Sequence, residues 1–139
     1  MLTLKEAQII AEKAVEKARS MGLPALSIAV LDESGQIKLL LKEDGATLLR
    51  NDIACGKAWG ALAMGFSSRQ LGLRFADRPQ FMNSLISISG GKFVPVPGGV
   101  LIKKQGQVIG SVGVSGASSD EDELCAVEGI AAADFEAVI

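Results

Sequence analysis

Two residues far apart in the chain, Lys57 and Asp122, are candidates for joint action on a small organic acid. A lysine amine serves as a cation, an electrophile or a base, and a carboxylate as an acid or a base. Lys57 shares helical spacing with Ala54, Ala58 and Ala61, and a lysine aligned with an apolar stripe is uncommon. Two readings stay open for it: a snorkelling lysine at the edge of the core, and a cation facing a carboxylate-bearing ligand. On the second reading, Lys57→Ala weakens ligand binding more than it harms folding. Lys42 and Arg50 lie just before the helix that carries Lys57. Each alone reads as solvated surface charge; together with Lys57 they would form a cationic rim for an organic acid.

The chain contains no histidine and no tyrosine. That removes the commonest general base, the commonest zinc ligand and every Ser-His or Cys-His arrangement. Cys55 and Cys125 are isolated, without metal-ligand spacing, and read as free packing thiols. Cys125 falls in the first turns of a helix, which lowers a thiol pKa, but the carboxylates of Asp120, Glu121, Asp122 and Glu123 raise it. Cys55 is expected to be buried mid-helix, and Met64 and Met82 to sit in the core. Trp59 reads as core or as an oligomer contact. Gly113-Val114-Ser115-Gly116 is no nucleophile elbow, because Gly116 follows Ser115 directly and no histidine exists to activate the serine. Nor does the following helix start suit a phosphate, since its own carboxylates would repel one. For Glu121 and Glu123, capping and close packing suffice.

The elements that must position these residues follow from periodicity and turn chemistry. Residues 3–21 form an amphipathic helix with a Thr3/Glu6 capping box and a stripe of Ala7, Ile10, Ala11, Ala14, Ala18 and Met21. Residues 25–31 and 37–41 form a hairpin across the turn Asp32-Glu33-Ser34-Gly35. Residues 51–64 form a second helix, capped by Asn51 or Asp52. A short helix capped by Ser67 or Ser68 runs to Phe75, and another lies around 81–85. Pro97-Gly98-Gly99 is a turn. Val100-Leu101-Ile102 and residues 107–114 form a second hairpin, with Ile109, Ser111, Gly113 and Ser115 on one face and Val108, Val112 and Val114 on the other. Three of the first four are small, so a helix or a ligand can approach the backbone closely. The last helix spans about 119–138, with Leu124, Val127, Ala131, Phe135 and Val138 on one stripe, and a further strand is expected near 92–96. The order αββαα-ββα with short hairpins implies one α+β domain over 1–139, an antiparallel sheet of about five strands flanked by helices.

Composition bounds the partners. With 139 residues, 48% hydrophobic and 22% charged, the chain is long enough for a proper core and too apolar for disorder. A net charge of −2 without a basic block argues against nucleic acid. No run approaches the ~18 apolar residues of a membrane span. The N-terminus enters a helix pattern with no basic-then-apolar leader, so a cytoplasmic location is expected. Wide apolar stripes and few surface charges point to a homo-oligomer.

The stretch from Pro95 to Gly129, with its order GGV, strand, G-x-V-I-G-x-x-G-V-S-G-A and an Asp-rich helix start, resembles the GlcG/HbpS-like family. That family takes in the C-terminal domain of PduO-type proteins and is described as haem-binding or haem-degrading. The likeness extends upstream through Val30-Leu31-Asp32, residues 42–46 and residues 53–58. It implies a profilin-like fold, oligomerisation and binding of a haem-type or other small ligand. Asp122 falls on the family's recurring aspartate and would order the corner. Gly98, Gly99, Gly113, Ser115 and Gly116 would then shape the pocket, with Lys42, Arg50 and Lys57 supplying charge. Haem bound by a chain without His or Tyr should be weakly held and high-spin, through Met64, Met82, an oxygen ligand or no protein ligand. The rival readings are a small-molecule hydrolase or isomerase using Lys57 and Asp122, and a structural subunit that only builds an assembly.

Overall fold

The computed structural model describes residues 1–139. Its elements are α1 (Leu4–Ser20), β1 (Ser27–Asp32), β2 (Ile37–Lys42), α2 (Leu49–Met64), α3 (Ser68–Arg74), α4 (Pro79–Ile88), β3 (Gly99–Lys104), β4 (Gln107–Ser115), α5 (Ser119–Ala132) and β5 (Glu136–Val138). The strands form one five-stranded antiparallel sheet in the order β2-β1-β4-β3-β5. The expected α+β architecture is present.

One face of the sheet is covered by α1 and α5. The capping box starts α1 where the sequence put it: the Thr3 hydroxyl accepts from the Glu6 N–H at 3.1 Å, and the Glu6 carboxylate accepts from the Thr3 N–H at 2.9 Å. Ala7, Ile10, Ala11, Ala14 and Ala18 are buried, and the small stripe lets α1 lie close against α5. Met21 is exposed, because the helix has already ended there. From the sheet, Leu26, Ile28, Val30, Val100, Ile102, Val112 and Val114 complete this core. Ile109 joins them rather than the Ser111 side. A bulge shifts the pairing from Ile102↔Gly110 to Lys103↔Val108, so the extra residue between breaks the alternation.

α5 ends at Ala132, not at 138. Asp134 takes a left-handed backbone at φ 63°, a conformation Asp tolerates, and the chain turns back as β5 beside β3. That strand is the fifth; residues 92–96 are irregular. The buried residues of α5 are Asp122, Glu123, Cys125, Ala126, Gly129 and Ile130, while Leu124 and Ala131 are exposed, so the buried stripe is rotated from the expected one.

The other face is covered by α2, which packs over β4, β1 and β3. Leu48 occupies its N-cap without a side-chain cap. Asn51 instead accepts from the Ser27 hydroxyl at 2.6 Å. Ser67 caps α3 as expected, and the short helix expected around 81–85 is the longer α4. A satellite cluster of Leu71, Met82 and Phe93, with Trp59, Met64, Phe66, Phe75, Leu85 and Ile86 packed on it, holds α3 and α4 beside α2.

Candidate functional site

α2 carries two stripes with different chemistry. The first, with Ala54, Lys57, Ala58 and Ala61, faces the sheet and is buried. Gly99 and Gly113 are paired across β3 and β4. A Cβ on Gly113 would overlap the Ala54 carbonyl, and one on Gly99 the Lys57 carbonyl. The small face of β4 therefore admits the α2 backbone. Ser111 donates to the Ala58 carbonyl at 2.8 Å, and Arg50 donates to the Ser115 hydroxyl at 3.3 Å.

Lys57 and Asp122 do converge. The Lys57 amine donates to Asp122 Oδ2 at 3.0 Å and to the Val114 carbonyl at 2.9 Å. The second oxygen of Asp122 accepts from the Ala117 N–H at 2.9 Å. Lys57 is 2% exposed and Asp122 1%. The lysine chain passes Gly98, whose φ of 129° and missing side chain leave it room. The pair thus ties α2 to the first turn of α5 around the Gly-rich corner. Burial pushes the Lys57 amine down and the Asp122 carboxyl up, each towards neutrality, while their mutual attraction opposes both shifts. No buried side-chain nitrogen or oxygen lacks a partner.

The second stripe of α2 is Asp52, Cys55, Gly56 and Trp59, at i, i+3, i+4 and i+7. With Leu31, Gly35, Gln36, Ile37 and the loop Gly90-Gly91-Lys92 it lines an open cleft of about 540 Å³. That lies within the roughly 300–1,000 Å³ typical of ligand sites. The cleft exists because α2 covers β1, β4 and β3 and leaves the start of β2 bare, with Ile37 exposed. Gly56 lets the segment after the loop press on α2, since a Cβ there would meet Val94 Cγ2 at 2.6 Å. Trp59 stands edge-on to Phe93, with ring centroids 5.8 Å apart, and the Lys92 amine lies 5.0 Å above its ring. Lys92 is the cleft's one cation and Asp52 its one anion. Cys55, expected to be buried, is half-exposed on the cleft wall, and burial, with Asp52, pushes its thiol up. Cys125 is fully buried in the α1/α5 core, and burial raises its thiol to about 11.

None of Lys42, Arg50, Lys57, Gly98, Gly99, Gly113, Ser115, Gly116 or Asp122 lines this cleft. Lys42 is exposed at the end of β2, and Gly116 lies against the Ala25 carbonyl. The cleft's own signal in the sequence is a cysteine and the only tryptophan on one helical stripe, together with the pair Gly90-Gly91 before Lys92.

Residues 2–131 match the family model described as haem degrading protein HbpS-like. The chain is 30% identical over 132 residues to the corrinoid adenosyltransferase PduO of Citrobacter freundii, covering 94% of this chain. It spans only 38% of that relative's length. Among solved structures it is similar to a PduOC:heme complex, at 28% identity and TM-score 0.87 over 97% of this chain and 96% of that one. It is also similar to a double mutant of Streptomyces reticuli HbpS, at 33% identity and TM-score 0.82 over 94% of this chain and 86% of that one.

Proposed function

This chain belongs to the haem-degrading protein HbpS-like family, and from that premise we propose that it binds a small planar ligand of the haem type in the cleft beside Trp59. The carrying observation is the cleft itself: about 540 Å³, open, walled by one aromatic ring with a lysine amine above it.

The residues present fit such a group. Ile37 and Trp59 give apolar surface, and Gly35, Gly56, Gly90 and Gly91 keep the walls flat. Lys92 is long and exposed, and can leave the Trp59 face to meet a carboxylate at the mouth. Cys55 places a sulfur donor in the wall. A bound haem would supply an iron centre for ligand binding or electron transfer. The chain's own residues hold the plane, pair the carboxylate and keep water from one face.

The enzyme reading needs Lys57 and Asp122 to face a substrate, and here each is sealed against the other. The reading as a mere structural subunit is disfavoured by a ligand-sized cleft within a single chain.

We also propose that the chain assembles with copies of itself, since Leu48, Leu73 and Ile88 are 90%, 63% and 82% exposed. Light scattering at micromolar concentration should exceed the 14.4 kDa monomer mass. No helix is long and apolar enough to cross a membrane. A reducing compartment, the cytoplasm, is proposed because both cysteines are free thiols. The net charge of −2 supports a small-molecule partner over nucleic acid.

The test is a hemin titration followed by absorbance, with albumin as competitor, together with mass spectrometry of small molecules that copurify. Saturable one-to-one binding, weaker than that of albumin and high-spin, is expected. Failure of both hemin and metal-free protoporphyrin IX to bind saturably would sink the reading.

A further inference from the structure

We infer that the cleft is built for an open-chain tetrapyrrole, with Asp52 accepting hydrogen bonds from its pyrrole N–H groups and Lys92 pairing one of its carboxylates. The inference rests on the reading of the cleft given above, and narrows it from the haem type at large to the ring-opened, iron-free form.

The cleft suits the plane of haem better than its iron. Side chains that ligate haem iron in proteins are chiefly His, Cys, Met and Tyr. This chain has no His and no Tyr, and none of its methionines lines the cleft. Cys55 does, but burial and the Asp52 carboxylate one helical turn away push its thiol up, against the thiolate that iron binds. The wall offers hydrogen-bonding groups of both kinds instead. Asp52 stands exposed in the first turn of α2 and enters none of the chain's salt bridges. Gln36 is exposed on the lining from the turn before β2, with an amide that donates and accepts. Lys92 lies over the Trp59 ring.

Tetrapyrroles differ in what they show to such groups. In haem the ring nitrogens bind iron and carry no hydrogen, so a carboxylate in the wall finds no donor. In a metal-free closed porphyrin the remaining N–H groups point to the ring centre within the plane, out of reach from a wall. Opening the ring lets the N–H groups turn towards an acceptor beside the molecule and adds terminal lactam carbonyls. The N–H groups then match Asp52, a lactam carbonyl matches the Gln36 amide, a propionate matches Lys92 and the conjugated plane lies on Trp59. An anion in the wall, which haem would leave without a donor, gains one.

Wild type, Asp52→Asn, Asp52→Glu and Lys92→Gln are titrated with biliverdin, hemin and metal-free protoporphyrin IX. The chain's only tryptophan stands in the cleft wall, so quenching of its fluorescence reports occupancy. Absorbance follows each pigment, and circular dichroism checks folding. Wild type should bind biliverdin about tenfold or more tightly than either closed ring. Asp52→Asn should weaken biliverdin about tenfold, as for one lost charge-assisted hydrogen bond, and leave hemin and protoporphyrin IX nearly unchanged. Asp52→Glu keeps the carboxylate and should retain most of the affinity. Lys92→Gln should weaken all three pigments, since each carries carboxylates. Asp52→Ser replaces the asparagine variant if that one folds poorly. Biliverdin affinity unchanged by loss of the Asp52 carboxylate, or hemin weakened as strongly as biliverdin, would overturn the assignment and leave the cleft a haem-type site. Wild type that binds hemin but not biliverdin would do the same. If none of the three binds wild type saturably, both readings fall.

Discussion

On one face of the sheet, α1 and α5 close over the strands through alanines, valines and isoleucines, and Cys125 lies among them with no exposed surface. On the other, α2 covers β1, β4 and β3 but stops short of β2, and Cys55 stands half-exposed at the cleft that remains. Lys57 and Lys92 repeat the contrast: one is sealed in an ion pair, the other is an exposed cation above an aromatic ring. Gly113 and Gly91 repeat it again, one pressed by a helix backbone and the other with nothing near it. The same residue types take opposite roles according to what covers them. Completeness of cover, more than residue type, separates scaffold from site in this fold.

The comparison breaks first, if it breaks, at Lys57. Removing one partner of a buried ion pair leaves the other charge unpaired, at a cost of about 3–5 kcal/mol. Lys57→Ala should therefore destabilise by that order, reversing the expectation that it acts mainly on binding. The double variant Lys57→Met with Asp122→Leu should recover most of the loss, because no charge is then stranded. Denaturant unfolding measures both. A single variant within about 1 kcal/mol of wild type would place Lys57 on the functional side after all.

Glycine substitution sharpens the contrast at a smaller scale. In Gly113→Ala the new Cβ meets the Ala54 carbonyl, so α2 must lift from the sheet. Overpacking of this kind costs about 3 kcal/mol. Gly91→Ala has open space but a φ of 83°, and should cost about 1–2 kcal/mol for the left-handed backbone alone. Equal losses in thermal denaturation would mean that α2 is not the tightly seated helix described above.

Next comes the Cys125 thiol, raised from 9.0 to about 11 by burial. Between those pH values the unfolded chain gives up the proton while the folded chain keeps it. The folded state then binds more protons, so stability falls as pH rises, by about 1.4 kcal/mol per unit and about 2–3 kcal/mol in all. Below pH 9 the contribution is fully present. Cys125→Ala should flatten this part of the pH–stability curve relative to wild type. An unchanged slope would show that the thiol is less enclosed than its packing indicates.

Much of the scaffold side was legible in the sequence. The Thr3/Glu6 box and the small residues Ser111, Gly113 and Ser115 of β4 are local signals that produced the features expected, whereas Gly99, expected in the turn with Pro97 and Gly98, already belongs to β3. The oddity of Lys57 on an alanine stripe was also legible, and it marks burial. What eluded reading depends on contacts distant in sequence. The bulge at Ile109 is set by pairing with β3, and β5 exists because Asp134 reverses the chain onto that same strand. The cleft needs Gly90-Gly91-Lys92 brought to Asp52, Cys55 and Trp59. No periodicity within one segment reveals that meeting, although the Cys/Trp stripe on α2 was its visible half.

The smallest expected effect on stability, and the sharpest separation of the two lysines, lies at Lys92. It is exposed, its amine lies 5.0 Å over the Trp59 ring, and it forms no salt bridge. An exposed cation–ring contact contributes on the order of 0.5–1 kcal/mol, so Lys92→Gln should change stability by no more than that. Its effect on a carboxylate ligand should be comparable in energy but visible as affinity. A pairing of about 0.5–1.5 kcal/mol corresponds to a two- to tenfold weaker hemin dissociation constant. The same substitution should also flatten the salt dependence of binding, because a solvent-exposed charge pair is screened by added salt. Parallel hemin titrations at low and high salt, with melting curves on the same samples, separate the two quantities. If Lys92→Gln lowers the melting temperature as Lys57→Ala does and leaves affinity and salt dependence unchanged, the cleft face is scaffold as well, and the division between the two faces fails.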